Sequence, residues 1–271
     1  MKLSQKHPNL FIFLFNITIV PIRFVTFWIR FLLRKIGIHN KKNNYSKLKQ
    51  FKNKHRGERC FVVGTGPSLT MDDLDKIKNE TSFSVNSIVL SFPNTKWRPT
   101  YYAIQDKTGY EKLEKALAIR KHEIPNFFIG ISDKSLTPIA NTIEYVPFPL
   151  NLLDHGKIGT KHLNRFSGNA FNVVYDGHSI TYSCLQLAVF MGFKEIVLLG
   201  VDCDYSQKVN HVIAYNSQSD NNAAFLMRES FKCARKYADK KGIRILNATR
   251  NAKLDVFERI DLDLLLYGVE K

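Results

Sequence analysis

The first 56 residues contain no Asp or Glu, although they carry thirteen of the chain's forty Lys and Arg residues. All twenty-four acidic residues lie in the remaining body, which is close to charge-balanced, so the formal excess of +16 belongs to the N-terminal arm. Cysteine is scarce. The four, Cys60, Cys184, Cys203 and Cys233, form no CxxC pair and match no zinc spacing. That excludes a disulfide scaffold and a zinc ribbon and points to a reducing, cytosolic compartment. The body shows no internal repeat and no low-complexity tract. A 44% hydrophobic and 12% aromatic content is ample for a packed core at 271 residues.

The arm is apolar as well as basic. No charge occurs from Pro8 to Ile22; Arg23 then interrupts, Phe24 to Ile29 resume, and Arg30, Arg34 and Lys35 follow. The uncharged run is shorter than the roughly 20 residues a spanning helix needs, and Pro21 would kink a helix there. No small-residue cleavage site follows it, which argues against a secretory signal. An interfacial helix or re-entrant hairpin is expected over residues 1–37, with cations reaching anionic headgroups. The alternatives are a helix packed on the domain's own core and a span in which Arg23 snorkels. A basic arm also suits nucleic acid, but the interleaved apolar run favours lipid, and no nucleic-acid partner is expected. Residues 38–56 read as a basic linker, and the catalytic domain is expected over 57–271.

Within that domain, apolar runs alternate with helical patterns. Strands are expected at 60–63, 82–85, 88–90, 100–104, 126–131, 195–199 and 243–246. Helices are expected at 71–78, opened by Thr70 with Asp73 as a capping box, at 179–191, closed by Gly192, and at 223–241, closed by Gly242. The alternation predicts an α/β fold: a doubly wound, mainly parallel, Rossmann-like sheet. Ligands of such sheets bind beyond the carboxyl ends of the strands.

Four stretches could carry chemistry. Gly64-Thr65-Gly66-Pro67-Ser68-Leu69 follows the first strand. Its glycines allow close backbone approach, and a helix N-terminus follows. It lacks the P-loop lysine and the third glycine of a dinucleotide fingerprint, so a plain strand-to-helix turn is the other reading. Asp202 and Asp204 follow the strand at 195–199 as an Asp-x-Asp pair, able to hold a divalent ion or simply to cap backbone N–H groups. The polar stretch 204–222, with Asn210, His211 and Tyr215, reads as a lid. Finally, Asp176-Gly177-His178-Ser179-Ile180-Thr181 precedes the apolar helix, where hydroxyls cap the helix or hold a phosphate.

Together these residues resemble the bacterial lipooligosaccharide sialyltransferases. Those enzymes open with a strand and a GNGPSL turn, here GTGPSL, and later carry a GYKEIYLSGID block, here GFKEIVLLGVD from Gly192 to Asp202. The two blocks also occur in a broader family resembling archaeal 6-hydroxymethylpterin diphosphokinase. The sialyltransferase resemblance implies a glycosyltransferase A-like variant of the fold and an inverting transfer from a CMP-linked sugar acid to a glycan or lipid-linked acceptor. It places the reaction at the cytoplasmic face of a bacterial inner membrane, with no cofactor required. It also implies that Gly64, Thr65, Gly66 and Ser68 line the nucleotide phosphate, with Asn86, Gln105 and Ser179 contacting the donor; Pro67, within the loop, and Asp202, at a strand's carboxyl end, are candidate donor contacts from their positions. His211 would be the base, and Tyr205 and Tyr215 would donate to the leaving phosphate. This chain departs from that pattern where Thr65 replaces an asparagine, where Ile180-Thr181 replace Ser-Gly, and where Tyr205 stands one place off. The diphosphokinase alternative implies ATP with magnesium on Asp202 and Asp204. A non-catalytic membrane adaptor is the third reading, and oligomeric state is left open.

Overall fold

The computed structural model describes residues 45–132, 143–152, 157–158, 161–204 and 221–268, with short stretches between 21 and 36. Among the described residues nine strands form one all-parallel sheet. In chain order they are β1 (Arg59–Val63), β2 (Ser82–Val85), β3 (Tyr101–Ile104), β4 (Phe127–Ile131), β5 (Val146–Asn151), β8 (Val174–Tyr175), β9 (Glu195–Leu199), β10 (Arg244–Asn247) and β11 (Glu258–Arg259). Two further two-residue strands, β6 (Lys157–Ile158) and β7 (Lys161–His162), pair only with each other. The sheet order is β11-β10-β9-β1-β2-β3-β4-β5-β8. The chain therefore winds outward from β1 on one side and restarts beside β1 with β9 on the other, the doubly wound α/β arrangement.

Strand periodicity divides the core into two layers. Cys60 and Val62 of β1, with Ile196 and Leu198 of β9, face one hydrophobic cluster. Phe61 and Val63, with Val197 and Leu199, face the other. Among the described residues from Tyr45 onward the α-helices are α1 (Met71–Lys76), α2 (Lys107–Arg120), α3 (Ile180–Met191), α4 (Asn221–Lys241) and α5 (Leu262–Tyr267). Side chains of α3 and α4, among them Leu185 and Phe231, cover the first layer. Leu74 of α1, Leu113 of α2 and Leu262 of α5 cover the second. Every residue of α3 except Val189 is buried, so this helix carries apolar and small residues on all sides.

Two expectations require correction. Ile88–Leu90 is not a strand: residues Asn86–Asn94 form a 3-10 helix that tucks Ile88, Val89 and Phe92 into the second layer. The linker expected over 38–56 also ends earlier. Tyr45–Phe51 is a 3-10 helix with Tyr45, Leu48 and Phe51 buried, and Leu48 and Phe51 belong to the first core layer. The turn after it bonds to the end of α3 through Asn53 N–H to Phe190 O, His55 N–H to Met191 O and Gly57 N–H to Gly192 O. The His55 ring stacks on Phe193 at 4.5 Å and bonds Tyr101 Oη at 2.7 Å. The packed part of the chain thus includes the segment from Tyr45 to Gly57.

Upstream, Ile22, Val25, Trp28, Ile29, Leu32 and Ile36 are exposed large apolar side chains. Among the described residues no helix is long and apolar enough to cross a membrane.

Candidate active site

The winding direction reverses between β1 and β9, and both strands end in glycine. Gly64 N–H bonds Leu199 O at 2.8 Å, and Gly66 N–H bonds Gly200 O at 2.9 Å. A Cβ on Gly64 would lie 2.4 Å from the Gly200 carbonyl oxygen; one on Gly66 would lie 1.8 Å from Asp202 Oδ2. The two glycines are thus required by close contact between the two strand ends, and not only by a turn.

Asp202 is the partner of the loop. Its carboxylate accepts from Ser68 N–H at 3.2 Å and from Ser68 Oγ at 2.9 Å. Burial pushes its carboxyl above the usual value, the Ser68 bonds oppose that shift, and nearby Asp204 adds to it. The expectation from the sequence is a nucleotide phosphate along residues 64–68 with Asp202 also on the donor. In the structure the two segments touch directly, and the Asp202 carboxylate takes the Ser68 donors a phosphate would need. Any ligand of this edge must lie over the segments rather than between them.

Beside this contact, Arg250 locks the loop to α1. Its Nη1 bonds Asp73 Oδ1 at 2.8 Å and its Nη2 bonds Ser68 O at 2.8 Å. Asp73 completes the capping box: Thr70 Oγ1 accepts from Asp73 N–H, and Asp73 accepts from Thr70 N–H. Burial works to raise the Asp73 carboxyl, but the bonds from Arg250 and Thr70 outweigh it and hold it below the usual carboxylate value. A depressed carboxyl contributes stability that is full above the unfolded value of about 3.9 and is lost as pH falls through the lower folded value. Replacing Asp73 with Ala should cost about 1–2 kcal/mol at neutral pH, the range of a lost cap with a half-exposed guanidinium. The difference from wild type should shrink in urea melts taken at progressively lower pH.

Further along the edge, β2 is followed directly by Asn86, whose backbone is left-handed (φ 46°) and whose carbonyl accepts from Tyr102 Oη. Asn86 is half-buried, and its carboxamide makes no hydrogen bond to the described residues. Gln105, at the end of β3, is engaged on both sides: its Nε2 bonds Asp176 Oδ1 at 2.6 Å, and its Oε1 accepts from Ser183 Oγ at 2.6 Å. Ser179 caps α3, its Oγ accepting from Thr181 N–H and bonding Thr181 Oγ1 at 2.6 Å. The structure therefore brings Gly64, Thr65, Gly66, Pro67, Ser68 and Asp202 together at the β1–β9 reversal. It sets Asn86 beyond the neighbouring strand, and it joins Gln105 through Asp176 to the segment that starts α3. His211, Tyr205 and Tyr215 lie outside the described residues.

Sequence reasoning placed the 176–181 segment among the candidate stretches but gave a role only to its hydroxyls, not to Asp176 or His178. Asp176 is buried and accepts from Gln105 and from His178 N–H. Gly177 and His178 both adopt left-handed backbone, and the His178 ring meets His162 edge-on at 5.9 Å. The Asp-Gly pair ahead of a helix was the visible signal; the Gln105 partner, 71 positions away, was not.

Residues 36–208 match the family described as 6-hydroxymethylpterin diphosphokinase MptE-like. The chain belongs to this MptE-like family. No curated protein matches it. Among solved structures, the MptE-like chain is similar to the MAf glycosyltransferase from Magnetospirillum magneticum AMB-1, with a TM-score of 0.50 and 14% identity. The likeness covers 81% of this chain and 38% of that one, so this chain spans well under half of its neighbour, and the likeness concerns the fold. The doubly wound parallel sheet of the MptE-like protein is thus similar to that of this neighbour.

Proposed function

We propose that this MptE-like protein is a membrane-associated glycosyltransferase that moves a sugar acid from a CMP-linked donor to a cell-surface glycan acceptor. The observation that carries this reading is the placement of the GTGPSL loop at the β1–β9 reversal, with the uncommitted Asn86 carboxamide beyond the adjacent strand. Nucleotides bind at this position in doubly wound sheets. The MAf neighbour bears the name of a glycosyltransferase, which supports the same class.

In this scheme the acceptor hydroxyl oxygen attacks the anomeric carbon. The bond from that carbon to the CMP phosphate oxygen breaks on the opposite face, and configuration inverts. His211 takes the hydroxyl proton, while Tyr205 and Tyr215 donate hydrogen bonds to the departing phosphate. The basic, apolar arm holds the enzyme to anionic lipid at the cytoplasmic face of a bacterial inner membrane, which raises the effective concentration of a lipid-linked acceptor. The exposed side chains from Ile22 to Ile36 and the absence of acid over residues 1–56 support that placement.

The family description favours a second reading, an ATP-dependent diphosphokinase. Magnesium would then rest on Asp202 and Asp204. Asp202 is already engaged by Ser68, and Asp204 Oδ2 pairs with Lys253 Nζ at 3.0 Å, so these carboxylates do not present an open pair.

Turnover separates the two readings. With CMP-N-acetylneuraminic acid as donor and a bacterial glycolipid extract as acceptor, free CMP should accumulate. His211→Ala should lower the rate by about 100-fold or more, the usual worth of a general base. Formation of AMP from ATP, magnesium and a hydroxymethylpterin, without CMP release from the sugar donor, would establish the diphosphokinase instead.

A further inference from the structure

Beyond the carboxyl ends of β10 and β11 lies a cavity of about 350 Å³. It is lined by Arg250, Asn251, Arg259, Ile260, Asp261 and Asp263, among others. It is separate from the Asn86 side of the edge but tied to the loop, because Arg250 also bonds the Ser68 carbonyl.

The lining sets three cations, Lys76, Arg250 and Arg259, against the carboxylates of Asp261 and Asp263, and two of the cations are already paired, Lys76 with Asp263 and Arg250 with Asp73. Arg250 bonds its protein partners through Nη1 and Nη2, and Arg259 bonds the Ala252 and Thr249 carbonyls through Nη1 and Nη2 at 3.1 and 2.8 Å. The Nε–H of each guanidinium makes no hydrogen bond to the described residues. Nor does the carboxamide of Asn251, which sits on left-handed backbone (φ 51°). On the acceptor side, Asp261 gives one carboxylate oxygen to Leu264 N–H at 2.9 Å, and Asp263 pairs with Lys76 at 2.8 Å. Ile260 adds a half-buried apolar surface.

Charge decides the ligand class. A free phosphate or carboxylate would gain from the guanidinium groups but meet Asp261 and Asp263 at the same wall. A cation would meet Arg250, Arg259 and Lys76. A neutral ligand with several hydroxyls, each both donor and acceptor, satisfies both sets, and its C–H face can rest on Ile260. We propose that this cavity is a subsite for a neutral sugar unit of the acceptor glycan, beside the nucleotide edge and coupled to the GTGPSL loop through Arg250. The assignment to an acceptor rests on the glycosyltransferase reading; the sugar site itself does not.

Saturation-transfer NMR on the full chain tests it, with the methyl glycosides of glucose, galactose and N-acetylglucosamine as probes. At least one should show saturation transfer. Its affinity should fall about tenfold in Asn251→Gly, the order of one lost hydrogen bond, with the thermal midpoint unchanged because glycine accepts the left-handed backbone. Ile260→Trp, which fills the cavity, should abolish the signal. Saturating CMP should leave the signal in place. Absence of signal with all three glycosides, survival of the signal in both variants, or its displacement by CMP would each overturn the proposal. If a glycoside binds here while the chain releases no CMP from a sugar donor, the transferase reading fails and the sugar site stands.

Discussion

A chain that begins at Gly57 should fail to fold, whereas one that begins at Asn44 should fold and remain soluble. The shorter chain loses Tyr45, Leu48 and Phe51, which are 3%, 0% and 4% exposed. Truncating one such side chain to Ala costs roughly 2–5 kcal/mol, so losing all three approaches the whole stability of a typical domain, about 5–15 kcal/mol. The loss also uncovers their partners. Phe51 packs edge-on against Phe128 at 5.1 Å and Tyr101 at 6.0 Å, and His55 covers Phe193. Circular dichroism melts of the two chains provide the comparison. A cooperative transition for the chain starting at Gly57, within a few degrees of the longer one, would show that the 45–57 segment is dispensable. The chain starting at Asn44 should also stay in the supernatant with vesicles containing phosphatidylserine, while the full chain sediments. Equal sedimentation would remove the anchoring role of the arm.

The second large effect is expected at Gly66. A methyl group there would sit 1.8 Å from Asp202 Oδ2 and 2.8 Å from Gly200 O, so either the loop or the end of β9 must move. Overpacking of this kind costs about 1–3 kcal/mol, and the displaced loop also loses the Ser68–Asp202 bonds. Gly66→Ala should therefore lower the melting midpoint and abolish CMP release from the sugar donor. Adding Asp202→Ala removes the nearer clash but not the carbonyl contact, so the double variant should recover part of the midpoint and none of the activity. A fully active Gly66→Ala would mean that the two strand ends are not held in contact.

The sequence displays the centre of this fold more clearly than its margins. Strands such as β9, buried on both faces and bounded by glycine, read as continuous apolar runs, and the Thr70–Asp73 box and Gly192 cap announce their helices. β5 is masked by Pro147 and Pro149. They are tolerated because β8 joins it only at Leu150 and Asn151, so the earlier part of the strand has an open edge. The segment at Tyr45 is masked differently. Its three buried residues recur every third position, the period of a 3-10 turn, among lysines that hide so short a stripe. Ile88–Leu90 is apolar enough for a strand, but the left-handed Asn86 turns the chain into a 3-10 helix first.

The site was legible to a similar degree. Two motifs more than a hundred residues apart, GTGPSL and the GVD after β9, were expected at one strand edge, and the parallel pairing of β1 with β9 puts them in contact. Direct occupation of the loop donors by Asp202 was not legible, because a carboxylate after a strand reads equally as metal ligand, ligand contact or cap. The engagement of Gln105 by Asp176 and Ser183 depends on a pairing that only the folded sheet creates.

The central claim is that a nucleotide lies on the carboxyl edge, over the GTGPSL loop and against Asn86. The most direct measurement is a crystal structure of the full chain grown with CMP. The account predicts the phosphate over residues 64–68 and a hydrogen bond from the Asn86 carboxamide to the nucleotide. CMP bound away from both, or an edge left without nucleotide in crystals of a chain that demonstrably binds CMP, would contradict it.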